Sequence, residues 1–126
     1  MKWLDLLLIF VGGGSGSVLR YGVGVAMAGV FGGGMPFGTL TVNIIGSFAI
    51  GCLAASLPSL EAGGTTSRLL LMTGVLGGFT TFSAFSLDAL TLVQRQEMGL
   101  ALGYIAASLT LSLAAVSLGW FLCRTL

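Results

Sequence analysis

GVLGGFTTFSAFS, at residues 74–86, interrupts an apolar stretch that is long enough to cross a membrane. Glycines and hydroxyl residues crowd together in this segment, with phenylalanines between them. Glycine and β-branched residues are poor helix formers, and irregular backbone at membrane depth is tolerated only where it is buried in protein or lines a polar cavity. The segment therefore predicts a break in a membrane helix, placed at an ion or solute site.

The composition around this segment is typical of an integral membrane protein. Of the 126 residues, 56% are hydrophobic and only 7% are charged, whereas a soluble domain has about 25% charged residues. The net charge is +1 without a basic patch, so we expect no binding to nucleic acid. The chain has no histidine, the usual acid–base group at neutral pH. With no nucleophile–base pair or metal cluster visible either, we predict that the protein is not an enzyme.

Turn and charge signals divide the chain into four apolar spans, which form a single domain over residues 1–126. The spans lie at residues 3–28, 37–57, 68–93 (with the break near 77–81) and 99–123. Each exceeds the roughly 20 residues that cross a bilayer. The first span could be mistaken for a signal peptide, but its apolar character resumes after a glycine run, so we predict a retained helix. The expected fold is an all-α membrane protein with a broken third helix.

The charges at the ends of the spans set the orientation only weakly. Four spans place both termini on one side, together with Lys2, Arg68 and Arg124. The other side has Arg95, with Arg20 near that end of the first span. So small a difference in Lys and Arg orients a chain poorly. Two interpretations stay open, a single weakly set orientation or insertion in both orientations, which would permit an antiparallel homodimer.

Polar side chains recur at every helical turn within two of the spans. They form two ladders of i, i+4, i+8 spacing: Thr39, Asn43 and Ser47 in the second span, and Tyr104, Ser108 and Ser112 in the fourth. Such spacing places each ladder on one helix face. A single hydroxyl is explained by a bond to its own helix or by close helix packing. Two ladders with an amide at mid-membrane indicate a polar pathway.

The groups on this pathway favour an anion. Arg20, the Asn43 amide and the hydroxyls all donate hydrogen bonds, and aromatic ring edges are electropositive. The acidic residues lie in loops or near span ends, with Asp88 near the end of the third span. A pathway that is rich in donors and poor in carboxylates selects a small anion over a cation.

Four fragments of the chain together resemble the Fluc (CrcB-type) fluoride channels. They are GGGSGSVLRY (12–21), PFGTLTVNIIGSF (36–48), GGFTTFSAFS (77–86) and the ladder of Tyr104, Ser108 and Ser112. Their order and spacing match over nearly the whole chain. The resemblance implies an antiparallel, dual-topology homodimer in the inner (plasma) membrane of a prokaryote. Such a dimer passively exports cytoplasmic fluoride through two pores and holds a structural sodium ion at its centre.

The resemblance also implies roles for individual residues. The backbone carbonyls of Gly77 and Thr80 would hold sodium, with the second subunit supplying the same pair. Phe82 and Phe85 would turn their ring edges towards fluoride. The remaining pathway positions would be the pore-lining Asn43, the polar track of Tyr104, Ser108 and Ser112, and Thr39, Ser83 and Arg20. The sequence departs from the family at Ala84, where a hydroxyl is common, so no fluoride contact is expected from that side chain.

Two other functions stay open at this stage. A small multidrug-resistance-type transporter, which couples drug efflux to protons, needs a carboxylate within its first helix. Here Asp5 lies at the start of the first span, and the middle of that span has glycine and serine. A non-transporting membrane assembly subunit is the other alternative, and it predicts no ion flux from the protein alone.

Overall fold

The computed structural model describes residues 1–59 and 65–126, and those residues form helices without strands. The elements are α1 (Trp3–Phe31), α2 (Phe37–Ser56), α3 (Thr65–Ser67), the π-helix π1 (Arg68–Leu76), α4 (Gly77–Phe79), α5 (Phe82–Gln94) and α6 (Met98–Cys123). Four stretches are long and apolar enough to cross a membrane: α1, α2, the third span Thr65–Gln94, and α6. The predicted all-helical membrane protein with four such helices is confirmed. Part of the loop expected at 58–67 lies outside the described residues.

Local capping explains where α1 begins and ends and where α2 begins. The Asp5 carboxylate accepts a hydrogen bond from the backbone amide of Lys2 at 3.2 Å, which ties down the start of α1. At its other end Gly32 has φ 75° and donates its amide to the Ala28 carbonyl at 2.9 Å. A glycine in this left-handed region commonly ends a helix. Pro36 directly precedes α2, where its fixed φ suits a helix start.

Helices α2 and α6 pack with their backbones in contact, and we call this contact the α2–α6 seam. A Cβ on Gly51 would collide with the carbonyl of Val116, and a Cβ on Gly119 would collide with the carbonyl of Phe48. Small residues permit such close approach between membrane helices, where van der Waals contact rather than the hydrophobic effect drives association. The two glycines therefore hold α6 against α2, the helix that also carries Asn43.

The third span packs on α1 in the same way. A Cβ on Gly16 would collide with the Val75 carbonyl of π1, and a Cβ on Gly78 would collide with the Gly13 carbonyl of α1. The glycines of the first span thus allow close helix approach, as their composition predicted. Their contacts position the interruption of the third span against α1.

The third span is irregular in two places. Residues Arg68–Leu76 are π-helical, and the sequence analysis did not predict this segment. Thr80 and Thr81 then have extended backbone, with φ and ψ of −86° and 157° for Thr80 and −156° and 118° for Thr81. These two threonines separate α4 from α5.

Two small clusters of buried side chains lie on either side of this irregular region. The first contains Phe85, Leu92, Ala101 and Tyr104, between α5 and α6. The second contains Val42, Leu76 and Phe79, between α2 and the third span. Phe85 of the first cluster and Leu76 of the second both line the cavity of the candidate site.

Candidate functional site

The Asn43 side chain bonds to both backbone groups of Thr81. Its Nδ2 donates to the Thr81 carbonyl at 3.0 Å, and its Oδ1 accepts from the Thr81 amide at 2.8 Å. An unsatisfied backbone group in the apolar interior costs several kcal/mol. Asn43 on α2 therefore supplies the hydrogen bonds that the interruption takes away from the helix.

The interruption releases two particular carbonyls from helical bonding. In a continuous α-helix the Thr81 amide would donate to Gly77, and the Ala84 amide would donate to Thr80. Here the Thr81 amide donates to Asn43, and the Ala84 amide donates to the Thr81 hydroxyl at 3.1 Å. The carbonyls of Gly77 and Thr80 have thus lost their helical donors, and these are the two carbonyls to which the family resemblance implies a sodium contact.

Arg20 of α1 reaches the same interruption. Its Nη1 lies 3.5 Å from the Thr80 carbonyl, at the outer limit of a hydrogen bond. The Thr80 hydroxyl and amide both donate to the Leu76 carbonyl, at 2.8 and 2.9 Å. The Thr80 carbonyl therefore has the Arg20 guanidinium as a distant donor, and its second lone pair stays available. Arg20 is the only arginine within the first span. It lies at the break, but it does not line the neighbouring cavity.

Most of the predicted pathway residues surround one cavity beside the break, and we call it the first cavity. Its volume is about 360 Å³. The lining residues include Asn43 and Ser47 of α2, Gly77 and Thr80 at the break, Phe82 and Phe85 of α5, and Ser108 and Ser112 of α6. Three separate parts of the sequence thus converge at one place in the fold. The side chains of Arg20, Ser83, Thr39 and Tyr104 do not line it.

Three aromatic rings lead away from the first cavity. The ring centroids of Phe82 and Phe85 are 5.4 Å apart, and those of Phe85 and Tyr104 are also 5.4 Å apart. The Phe82 side chain is 75% exposed on the protomer, whereas Phe85 is 9% and Tyr104 is 0% exposed. The rings therefore run from the surface of the protomer into its core.

Ser108 contributes an unpaired hydroxyl to the first cavity. Its side chain is 6% exposed, and its Oγ has no hydrogen-bond partner among the residues that the structure describes. A buried hydroxyl without a partner costs about 1–3 kcal/mol. Ser108 is therefore a donor that a bound ion or water in the cavity would satisfy.

A second cavity, of about 300 Å³, lies on the far side of Tyr104. It is lined by Thr39 at the start of α2, by Asp88 and Thr91 of α5, and by the glycine-rich loop between α1 and α2. The Tyr104 hydroxyl donates to Asp88 Oδ2 at 3.1 Å, while its ring contacts Phe85 of the first cavity. Tyr104 therefore joins the linings of the two cavities.

The remaining predicted residues have surroundings of their own. Ser83 is exposed, and its hydroxyl lies 3.3 Å from that of Thr81. The Ala84 side chain offers no polar group, but its amide is part of the cap that starts α5. The roles of these residues in the pathway stay predictions.

Two residues of this region were not assigned to the site from the sequence. Thr81 caps α5 through its hydroxyl, accepts a hydrogen bond from Asn43 Nδ2 and donates one to Asn43 Oδ1. A threonine directly before a helix restart is a signal that points to such a cap. Asp88 was set aside as a residue near a span end, yet it accepts the Tyr104 hydrogen bond. Its position 16 residues before Tyr104 gives no local signal of that contact.

Comparison with known families and proteins identifies the family of the chain. The family model "CrcB-like protein, Camphor Resistance (CrcB)" matches residues 7–120, which is most of the chain. The chain belongs to the CrcB-like family. The resemblance drawn from the four fragments is thereby confirmed, and it extends from α1 to the last turns of α6.

Curated relatives of this CrcB-like chain have a common name. A protein of Agrobacterium fabrum named "Fluoride-specific ion channel FluC" is 50% identical over 123 residues, which cover 98% of each chain. Proteins of the same name from Caulobacter vibrioides and Paracoccus denitrificans are 48% and 52% identical, over 94% and 90% of this chain. The prediction that the protein is not an enzyme is confirmed, since its relatives are named as ion channels. Four apolar helices and bacterial relatives also identify a multi-pass plasma-membrane protein of a prokaryote.

Proposed function

We propose that the protein is a fluoride-selective channel that passively exports cytoplasmic fluoride and so relieves fluoride toxicity. The observation that carries this proposal is the convergence of Asn43, Ser108 and the Phe82–Phe85 pair on one cavity beside the helix interruption. The relatives named as fluoride-specific channels support the choice of ion.

The donors around the two cavities suit a small and strongly hydrated anion. To pass, such an ion needs closely spaced groups that replace its water and sites weak enough to release it. The unpaired Ser108 hydroxyl lies one helical turn from Ser112, and Phe82 and Phe85 supply ring edges beside them. A membrane that is negative inside drives an anion outward by about 2.3 kcal/mol per 100 mV. Export therefore needs neither ATP nor a coupled ion.

The working unit in this proposal is an antiparallel homodimer with two pores. Phe82 is 75% exposed although it lines the first cavity, and Gly77 beside it is also exposed on the protomer. A second copy packed at this surface would cover both residues and close the cavity. The weak charge difference between the two ends of the spans permits the antiparallel arrangement.

A sodium ion at the centre of that dimer would be held by the carbonyls of Gly77 and Thr80. Both have lost their helical donors to side-chain bonds, as described above. Carbonyl oxygens from unwound membrane helices are ligands for Na⁺ in other transport proteins, so the donor set fits this ion. Two carbonyls from each subunit would give four ligands, and the bound charge would raise the positive potential near the anion path. The 3.5 Å approach of Arg20 leaves one lone pair of Thr80 for the ion.

Fluoride efflux from liposomes that contain only this protein tests the proposal. We expect rapid fluoride loss, followed with a fluoride electrode, while entrapped chloride is retained. No flux would favour the assembly subunit. Chloride loss as fast as fluoride loss would show that the channel is not selective for fluoride. Proton-coupled efflux of a cationic dye would instead favour the multidrug-type transporter.

Phe82→Ile tests the assignment of the pathway without disturbing the protomer. The Phe82 ring is mostly exposed and its one aromatic contact is with Phe85, so the helices keep their packing. We expect fluoride efflux to slow by about tenfold, on the scale of one lost favourable contact of about 1.4 kcal/mol. Phe10→Ile is the matched control, since Phe10 is 78% exposed on α1 and lies away from both cavities. Equal efflux from both variants would contradict the role of Phe82.

A further inference from the structure

Arg95 is the cation that lines the second cavity. It follows α5 as the C-cap residue, and its amide donates to the Thr91 carbonyl at 3.0 Å. The Arg95 guanidinium has no hydrogen-bond partner within residues 1–59 and 65–126. It belongs to the cavity wall together with Asp88 and Thr39. We propose that Arg95 recruits the permeating anion at the mouth of the second cavity, where its charge offsets that of Asp88.

The second cavity continues the predicted pathway. Two helices line both cavities with residues about one turn apart: Asn43 and Thr39 on α2, and Phe85 and Asp88 on α5. Tyr104 of the α6 ladder contacts Phe85 with its ring and Asp88 with its hydroxyl. An anion that leaves the first cavity along the ladder therefore enters the second.

An anion in the second cavity meets a carboxylate. Within the described residues the Asp88 carboxylate accepts one side-chain hydrogen bond, from Tyr104 at 3.1 Å, and it belongs to the cavity wall. Arg95 lies seven residues further along the same helix, about 10 Å along the axis. Over that distance its charge acts on an ion between the two residues. With Arg95 the wall has no net charge, and without it the wall would repel fluoride.

An arginine at a helix C-terminus also has a structural explanation, because it interacts favourably with the helix dipole. Arg124 provides a matched comparison, since it is the C-cap residue of α6. The Arg124 guanidinium lies over the rings of Trp120 and Phe121, at 5.0 and 4.8 Å from their centroids, and it lines neither cavity. Replacing either arginine loses a dipole contact, but only Arg95 is placed to attract an ion.

The test measures fluoride efflux of Arg95→Gln, Arg95→Lys and Arg124→Gln at two ionic strengths, with sodium kept constant and N-methylglucamine gluconate as the added salt. Charges are screened beyond about 30 Å at 0.01 M salt and beyond about 3 Å at 1 M. We expect Arg95→Gln to be about threefold slower than wild type at 0.01 M and nearly equal to it at 1 M. Arg95→Lys and Arg124→Gln should match wild type at both, and melting temperatures in detergent should agree among all variants.

A charge-neutral double variant tests the balance with Asp88. Asn at position 88 still accepts the Tyr104 hydrogen bond, so Asp88→Asn combined with Arg95→Gln restores a wall without net charge. We expect the double variant to recover most of the efflux that Arg95→Gln loses at low salt, and a failure to recover would overturn the balance.

The inference rests on the proposed function, but the two fail differently. If wild type conducts fluoride and Arg95→Gln equals it at both ionic strengths, the role of Arg95 is wrong and the channel stands. If Arg95→Gln is slower by the same factor at both, the effect is structural and recruitment is wrong. If wild type itself conducts no fluoride, both proposals fall.

Discussion

The helix interruption at Thr80 and Thr81 and the α2–α6 seam both rely on small residues within the membrane, but they use them in opposite ways. In the seam Gly51 and Gly119 keep their helices regular and bring two backbones into contact. At the interruption the backbone leaves the helix, and the side chains of Asn43 and Thr81 replace the lost hydrogen bonds. The backbone leaves the helix only where polar side chains lie close enough to hydrogen-bond its freed amide and carbonyl groups.

The third span opens where the neighbouring helix α2 supplies both a donor and an acceptor. Asn43 does so with one amide, which has both kinds of group. The opened backbone then has carbonyls to spare for a ligand, while the seam has none. Helix α2 contributes to both regions, with Gly51 in the seam and Asn43 at the first cavity.

The largest effect is expected where the seam is breached. In Gly51→Ala the new Cβ meets the Val116 carbonyl, a backbone group that has no rotamer with which to move away. We expect the free energy of unfolding to fall by about 3 kcal/mol, the upper range for overpacking, as measured by thermal unfolding in detergent. Gly103→Ala is the control, because a Cβ at Gly103 on α6 meets nothing within 4 Å. Equal melting of the two variants would show that the seam is looser than the structure indicates.

The interruption is tested by removing its amide. Asn43→Ala leaves the amide and carbonyl of Thr81 without their partners, so we expect a loss of about 2 kcal/mol in unfolding free energy. Fluoride efflux should fall by about tenfold, since the break no longer holds its geometry. Ser47→Ala removes a hydroxyl one turn further along α2, in the same cavity, and leaves the Asn43 bonds intact. If Asn43→Ala and Ser47→Ala lower the free energy of unfolding equally, the Asn43 hydrogen bonds do not stabilise the interruption.

A smaller change separates the helix cap from the proposed sodium site. Thr81→Val removes the hydroxyl that occupies the Ala84 amide, and that amide can then return to the Thr80 carbonyl. An N-cap contributes about 1 kcal/mol, which corresponds to about a fivefold higher sodium concentration for half-maximal fluoride efflux. The measurement replaces sodium with N-methylglucamine. Thr81→Ser keeps the cap and should behave as wild type. If fluoride efflux is independent of sodium concentration in wild type, Thr81→Val and Thr81→Ser, the sodium proposal is wrong.

The smallest effect concerns the end of α2, beyond the seam. The Arg68 guanidinium donates to the carbonyls of Pro58, Leu57 and Ala54, at 2.8, 3.1 and 3.4 Å. Arginine near a helix C-terminus satisfies its last carbonyls, but water reaches this end. We therefore expect Arg68→Gln to lower the free energy of unfolding by about 1 kcal/mol. Lys2→Gln controls for the loss of one positive charge. If Arg68→Gln lowers the free energy of unfolding as much as Gly51→Ala does, polar capping stabilises the protein as strongly as the seam.

Much of this architecture follows from the sequence. Membrane thickness requires about 20 apolar residues for each helix, so the four spans are visible in the hydropathy. Ladders at i, i+4, i+8 place Asn43 and Ser108 on defined faces, and both line the first cavity. The crowding of glycine and threonine around Thr80 and Thr81 points to the place where the backbone becomes extended.

Other features depend on contacts between residues that are distant in the sequence. The partner of Thr81 is Asn43, 38 residues earlier, and no local pattern announces a bond between them. Asp88 was set aside because it lies near a span end, but helix packing places it against Tyr104. No local pattern in the sequence announces the π-helix Arg68–Leu76, which lies where α1 packs directly on its backbone.

That π-helix has a consequence for how the chain tolerates changes of length. Each of its hydrogen bonds spans one residue more than in an α-helix, so this segment already accommodates surplus chain. Deleting one residue within 68–76 allows the ordinary α pattern to close while Gly74 and Gly78 stay against α1. The same deletion in α6 would rotate every later side chain by about 100° around the helix axis and separate Gly119 from its partner. Insertions and deletions between related sequences are therefore expected to gather in the first half of the third span.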